Sequence, residues 1–581
     1  MAIFTPSESP AVVIREVDLS GVVPNVQSTT GAIVGNFRWG PVEKPILIDN
    51  EASLAATFGT PDDTTAVDFL SAAYFLKYSS SLQVVRAVNA SSKNARATIA
   101  GPAPLVKNID DFTGQEPNLD SAGNTFIARY PGSLGNSITV SVCPVSGDSA
   151  GAPTGDNAFE AWAYRTYFDG APRSSDFAKS NNAKNDEVHV VVLDNNGLIT
   201  GTRGTVLEIY PYVSIANNAK KADGSTNYVK DVINNQSGFV WMAGFGTAVF
   251  PTTAGTSVDS GDNLYDASAS TVRNLGFDSG TNIALTVGNI NSGYDKFIDK
   301  DTIQVDFLIA PGMDSSGSQV TVVTNLVAIA GSTRKDCVVV TSPAKNNVAN
   351  NIDPVTSTVA NNFLFGSSSY LFSDNNWLKV YDKYNDKYRF IPAASSTAGL
   401  MAATDLNAAP WYSPAGGRRG QYLAVTSLAY TPTKAQRDTL YKASVNPIAN
   451  IPGQGIMLYG DKTNLFRPSA FDRINVRRLF LVIERAIAIA ARNVLFEFND
   501  EFTRAEFVNI VEPFLREIKG RRGITEFRVV CDDTNNTPAV IDRNEFIASI
   551  FIKPARSINY ITLNFVAVRT GVDFNEVVGV V

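Results

Sequence analysis

Long apolar runs occur in two widely separated places in this chain, and that recurrence constrains its fold more than any other feature. "GAIVG" and "LQVVRAV" lie within residues 31–88, while "DTIQVDFLIAPG" (301–312) and "DCVVVTSP" (336–343) come much later. Continuous apolar strands suit a sheet covered on both faces. From about 91 to 300 the composition shifts to Gly, Ser, Asn, Asp and Thr, with short strands such as "SITVSV" and "EVHVVVLDNNGLITG" between turn signals. The chain therefore reads as one α/β core built from two stretches, interrupted by a β-rich insertion of low helical content.

Local signals fill in this outline. "PAVVIREVDLS" (10–20) reads as a short strand. Asn50 starts a helix that buries Leu54 and Phe58 and stops at Gly59. A second helix covers about 65 to 78 and a third about 318 to 331. Asp194-Asn195-Asn196-Gly197 is a hairpin tip. From Asp472 to Leu495, Val476, Leu479, Phe480, Ile483, Ile487, Ala490, Ala491 and Val494 recur at helical offsets. The next helix is read as starting from a capping box, Thr503 with Glu506, and carries Pro513 inside. Three strands follow: "TEFRVVCD", "EFIASIFIK" and "NYITLNFVAVR". The expected organisation is a multidomain α/β and α+β chain. It has an N-terminal stretch (1–20), an α/β core (21–90 with 300–440) and a β-rich insertion (91–299). A C-terminal α+β domain of two helices on a β-meander (441–571) and a C-terminal stretch (572–581) complete it.

Function classes fall away one by one. The net charge of −7 gives no reason to expect nucleic acid or membrane binding, and basic groups concentrate after residue 440. Charged residues make up only 18%, against about 25% in an average domain. That low share fits either a surface hidden against partners or a β-rich fold dense in Ser, Thr, Asn and Gly. Cys143, Cys337 and Cys531 have no metal-ligand spacing and suit a reducing compartment. "MAIFTPSESP" has neither the basic start nor the apolar stretch of a signal peptide. Glu484, Arg485 and Arg492 interrupt the most apolar segment, so no membrane span is expected. The lone histidine, His189, sits in an alternating strand and reads as structural. No phosphate loop, nucleophile elbow or zinc motif is present, and "GGRRG" (416–420) lacks the strand and the Lys-Ser/Thr that a phosphate loop needs. No catalytic, cofactor-binding or metal-binding residue is assigned.

Several stretches together resemble the tail sheath proteins of contractile-tailed bacteriophages (myoviruses), the T-even type most closely. They are "SPAVVIREVDLS", "VGNFRWGPVEKPILI", "VDFLIAPG", "STAGLMAATD", "NPIANIPGQGIMLYGDKT" and "INVRRLFLVIERAIAIAARNVLFEFND". The segment "ARYPGSLGNSITVSV" adds a family motif at Tyr130, Pro131, Gly132, Gly135 and Asn136. Their order over residues 9 to 580 makes the match specific. The family's usual "PPSG" stands here as "PAAS" (392–395).

The resemblance implies a virion structural protein without a cofactor, assembled in the host bacterial cytoplasm. Its subunits form hexameric rings in a helical stack around a tail tube protein, bounded by baseplate and tail terminator proteins. Contraction drives the tube through the host envelope for genome ejection. It also implies that the insertion (91–299) faces outward and that the two end stretches are arms. In these, Val12, Val13, Ile14, Arg15 and Val17, with Val572 and Phe574, are by the same resemblance strands exchanged between subunits by β-augmentation. A basic stripe is a separate inference. Arg478, Arg485 and Arg492 fall seven apart and drift only about 20° per heptad. Some of these, together with Lys519, Arg521 and Arg522 of the loop after the second helix, are expected to face the tube. The competing readings are a β-rich adhesin or receptor-binding protein, a carboxylate glycan enzyme, and the sheath of a related contractile injection system.

Overall fold

The structure is a computed structural model that describes residues 28–97, 102–121, 123–145, 157–246, 249–265 and 271–559. The exchange residues at both chain ends, and the third C-terminal strand from Tyr560 onward, lie outside these.

The core sheet begins with β1 (Gly31–Gly35), β2 (Ile46–Ile48) and β3 (Leu82–Arg86). β1 runs parallel to β3, from Gly31 opposite Leu82 to Gly35 opposite Arg86, and β2 is antiparallel to β3. Between them lie α1 (Glu51–Phe58) and α2 (Ala66–Phe75). Asn50 caps α1 by accepting the Ser53 N–H at 2.8 Å, Leu54 and Phe58 are buried, and Gly59 ends it at φ +76°. Gly31 permits α2 to lie close, since a Cβ there would come within 2.7 Å of the Phe75 ring.

The insertion is a seven-stranded sheet. Its strands are β4 (Arg96–Ala97), β5 (Phe126–Ala128), β6 (Ile138–Cys143), β7 (Glu187–Asp194), β8 (Thr205–Ser214), β9 (Val240–Met242) and β10 (Arg273–Asp278). The spatial order is β8-β7-β6-β10-β4-β5-β9. Its pairings are antiparallel, and the Asp194–Gly197 turn leaves β7 toward β8. Edge strand β8 carries Pro211, a residue that blunts further pairing. Helix is more abundant here than the composition suggests. Ile109–Ser121 forms thirteen residues of helix despite Pro117, and Phe112 stacks on Trp241 at 4.5 Å. Only Phe112 and Leu119 of this helix are fully buried, too sparse a stripe to show a period in the sequence.

The chain returns to the core through β11 (Phe307–Ile309), β12 (Val338–Thr341) and β13 (Leu371–Ser373), giving the order β13-β12-β11-β1-β3-β2. Alternate residues serve opposite faces. Ile33, Val84, Phe307 and Val340 pack with Phe69 and with Ala398 and Met401 of α3 (Ala394–Asn407). Ala32, Val34, Val85 and Leu308 pack with Tyr294, Val322 and Leu326 on the other side. A hairpin, β14 (Trp377–Asp382) with β15 (Lys387–Pro392), follows β13.

The chain divides into two compact units inside α4 (Ile474–Ala491): the larger ends at Arg485, and the smaller takes in the described residues from Ala486 onward together with Trp411–Ser413. This division differs from the boundary expected at 440/441. Residues just beyond 440 are tied to the core by Asn446, whose N–H and side-chain amide both donate to Ser373 O. In the smaller unit α5 (Glu501–Gly520) packs on β19 (Ile524–Val530), which pairs antiparallel with β20 (Ser549–Pro554); β16–β18 (Ser427–Leu428, Ile448–Ile451 and Gly455–Leu458) precede it. The helix cap is Asp500, which accepts the Thr503 N–H at 2.8 Å, and not the Thr503–Glu506 box. Thr503 is already inside the helix and buried.

Candidate functional site

Open parallel sheets bind ligands beyond the carboxyl ends of their strands, where the strand order reverses. Here that point lies between β1 and β11, and it is filled. A Cβ on Gly312, just past β11, would meet the Trp377 ring at 2.8 Å and Pro392 at 3.0 Å, and Trp377 Nε1 is tied to Pro343 O at 2.8 Å. His189 is equally committed. Its Nδ1 accepts the Tyr212 N–H at 3.0 Å, so Nε2 donates to Gly170 O at 2.9 Å, and its ring stacks on Phe168. Burial pulls its pKa down to about 4, leaving a neutral ring at physiological pH. Among the described residues no group of His, Cys, Asp and Glu could hold a metal ion. None of their helices is long and apolar enough to cross a membrane.

What the fold does build is two junctions pinned by buried arginines. The first is where the chain leaves the core. Arg86, the last residue of β3, is 0% exposed and donates to Phe37 O (2.8 Å), Gly40 O (2.9 Å), Arg38 O (3.4 Å) and Pro131 O (2.6 Å). Burial pulls its pKa down to about 9, so it remains a cation at neutral pH. The motif residues gather around it. Tyr130 meets the Trp39 ring edge-on at 5.3 Å. Gly132 sits at φ +132°, donates to Lys93 O, and has Asn282 Oδ1 2.7 Å from where a Cβ would lie. Gly135 lies against Ala128 and Ala95 with no room for a Cβ. Asn136 grips Gly280 at both ends, Nδ2 donating to its carbonyl at 2.9 Å and Oδ1 accepting its N–H at 2.8 Å. The exit strand and the returning strand are thus fastened at one place. Arg86 escaped the sequence reading because an arginine ending an apolar strand carries no mark of its carbonyl partners.

The second junction corrects an expectation. Arg478 and Arg485 do not present charge outward. Arg478 is buried, pairs with Asp405 of α3, and donates to Met401 O at 3.2 Å. Arg485 pairs with Asp306 and donates to Asp336 O at 2.8 Å. The seven-residue spacing does put both on one stripe, but that stripe faces the amino-terminal ends of β11 and β12. Burial raises the pKa of Asp306, and raises that of Asp405 to about 6, despite their arginines. A small cleft lies among Ser28, Asp306, Asp336, Arg478, Leu481 and Arg485. In the smaller unit Arg492, Lys519, Arg521 and Arg522 are exposed. Arg521 lies over the Trp411 ring and 3.5 Å from Glu517.

A packed crevice and two cross-braced junctions are what the described residues present at these places. Three family models fall on the chain in order: the tail sheath protein Gp18 domain III N-terminal region on residues 28–87, the phage tail sheath protein central domain on 286–464, and the phage tail sheath C-terminal domain on 467–567. The tail sheath protein of Enterobacteria phage T4 is 34% identical, over 98% of this chain and 99% of its own. That of Salmonella phage ViI is 34% identical over 94% of each. The fold is also that of the sheath tail protein of Desulfitobacterium hafniense, with a TM-score of 0.52 at 13% identity over 94% of this chain and all of that one. The chain belongs to the phage tail sheath family.

Proposed function

We propose that this chain is the repeating subunit of a contractile tail sheath, assembled in the host cytoplasm as stacked hexameric rings around a tail tube. Its contraction drives the tube through the host envelope, with baseplate and tail terminator proteins at its ends and no nucleic-acid or membrane contact. Near-full-length similarity to the T4 tail sheath protein carries this reading. Two features of the smaller unit support it. β19 and β20 form a sheet of only two strands among the described residues, a size marginal alone in water. Strands from neighbouring copies, Val12 to Val17 and the segment bearing Val572 and Phe574, would complete it. Leu495, Phe496, Phe498 and Phe502 are also strongly exposed, as an assembling surface would be before assembly. Arg492, Lys519, Arg521 and Arg522 remain the tube-facing candidates, because Arg478 and Arg485 are spent inside the subunit. Electron microscopy of the purified chain with and without tube tests the reading. Striated hollow cylinders are expected, and compact particles or trimeric fibres in every condition would overturn it.

A further inference from the structure

Two buried carboxylates each hold contacts from two parts of the chain that are far apart in sequence. Asp405 accepts the Ser28 hydroxyl on Oδ2 at 2.5 Å while its Oδ1 pairs with Arg478. Asp306 accepts the Thr30 N–H on Oδ2 at 2.9 Å while its Oδ1 pairs with Arg485. Ser28 and Thr30 stand at the root of the amino-terminal segment. Arg478 and Arg485 stand on α4, the helix that carries the chain into the smaller unit. The same pattern is therefore built twice, once on Asp405 of α3 and once on Asp306 just before β11: one oxygen for the root, the other for α4.

We infer that Asp306 and Asp405 are positioning residues that couple the root of the amino-terminal segment to α4, so that loosening either partner loosens the other. The physical reason is that neither carboxylate is stable half-paired. A buried carboxylate that loses its arginine must take up a proton or admit water, and both weaken the hydrogen bond it accepts on its second oxygen. In the opposite direction, a root pulled away removes one of the contacts that hold the carboxylate under its arginine. Low local dielectric makes such two-sided networks cooperative. The consequence rests on the sheath reading: tension on an amino-terminal strand held by a neighbour would reach α4 through two short charged links. The coupling itself does not depend on that reading and is measurable in the unassembled chain.

Hydrogen exchange on the full-length, unassembled protein tests it. Arg478→Met with Arg485→Met keeps the apolar stems and removes both guanidinium groups. Amides of residues 28–31, none of which is altered, should then exchange about tenfold faster or more. Exchange in β6 and β7 should stay unchanged, which reports an intact fold. Arg477→Met serves as the control, since Arg477 lies over the Tyr370 and Phe471 rings and not on either carboxylate; it should leave residues 28–31 as they were. Unchanged exchange at 28–31 in the double variant overturns the inference. Should that variant not fold, Asp306→Asn gives a second reading, expected to speed Thr30 and the first turns of α4 together. A rise in only one of the two then overturns it. Failure to form cylinders would count against the sheath reading while leaving this exchange result intact.

Discussion

Arg86 donates to the main-chain oxygen of Pro131 at 2.6 Å, and its three other hydrogen bonds also end on main-chain oxygens. The charge is balanced by peptide dipoles at the place where the core chain passes into the inserted sheet. Removing the side chain would leave several buried carbonyls without a donor. Arg86→Met is expected to destabilise the larger unit by about 3 kcal/mol, measured by chemical denaturation. Arg86→Lys should recover only part of this, because an ammonium cannot match the planar fork.

Gly132→Ala tests the same junction from the other side. At φ +132° an alanine is strained, and its Cβ would press on Asn282 Oδ1. The expected cost is about 1–3 kcal/mol, read as a lowered Tm. Gly114→Ala provides the comparison, since a Cβ at Gly114 has nothing within 4 Å.

Much of the architecture was legible because apolar runs and end signals are local. The Asn50 cap, the Gly59 stop and the buried strands β1, β3, β11 and β12 all announce themselves within a few residues. The Tyr130–Asn136 motif was visible as a pattern, but its purpose lies in Arg86 and Gly280, which are distant in sequence. The arginine stripe illustrates the limit most clearly. Periodicity places Arg478 and Arg485 on one side of a helix without saying what that side meets, and their partners Asp405 and Asp306 lie in other elements. The helix at Ile109–Ser121 was missed because few of its residues are buried, and the cap of α5 because Thr503 and Glu506 imitate a box one turn late.

Charge reversal should separate the buried arginines from the exposed ones. Arg478→Glu with Arg485→Glu would set like charges against Asp405 and Asp306 in a buried seam, and loss of the folded subunit is expected. Lys519→Glu with Arg522→Glu alters exposed positions and should change monomer stability by no more than about 0.5 kcal/mol. On the sheath reading the second pair weakens tube-templated assembly, and more so at low ionic strength. Thermal melts and tube-binding electron microscopy read the two effects apart.

Asp374 gives the subunit a defined pH dependence. It is fully buried, accepts from Ser342 Oγ and Thr397 Oγ1, and burial pushes its pKa up to about 7, well above the ordinary carboxylate value of about 4. Between those values the folded state holds a proton that the unfolded chain has released, so stability declines as pH rises from about 4 to 7 and then levels off. His189, held neutral down to about pH 4, acts in the opposite sense below its ordinary pKa. Subtracting the profile of Asp374→Asn from that of the unaltered chain cancels the histidine. The difference should fall toward pH 7 and be flat above it. A flat difference from pH 4 upward would remove Asp374 as its source.

The exposed aromatic corner between α4 and α5 separates subunit stability from assembly. Phe496 is 103% exposed and Phe498 is 83% exposed. Neither packs inside the subunit, so Phe496→Ser and Phe498→Ser should leave its unfolding free energy within about 0.5 kcal/mol. If a neighbouring copy or the tube covers them, each serine forfeits about 1.5–3 kcal/mol of apolar burial in the assembled state. That corresponds to a rise of about tenfold or more in the concentration needed to assemble. Sedimentation across a concentration series measures it, and far-ultraviolet circular dichroism confirms that the soluble subunit is unchanged. An unaltered assembly threshold in the double serine variant would mean that the corner stays in water after assembly. The surface between subunits would then have to be sought elsewhere.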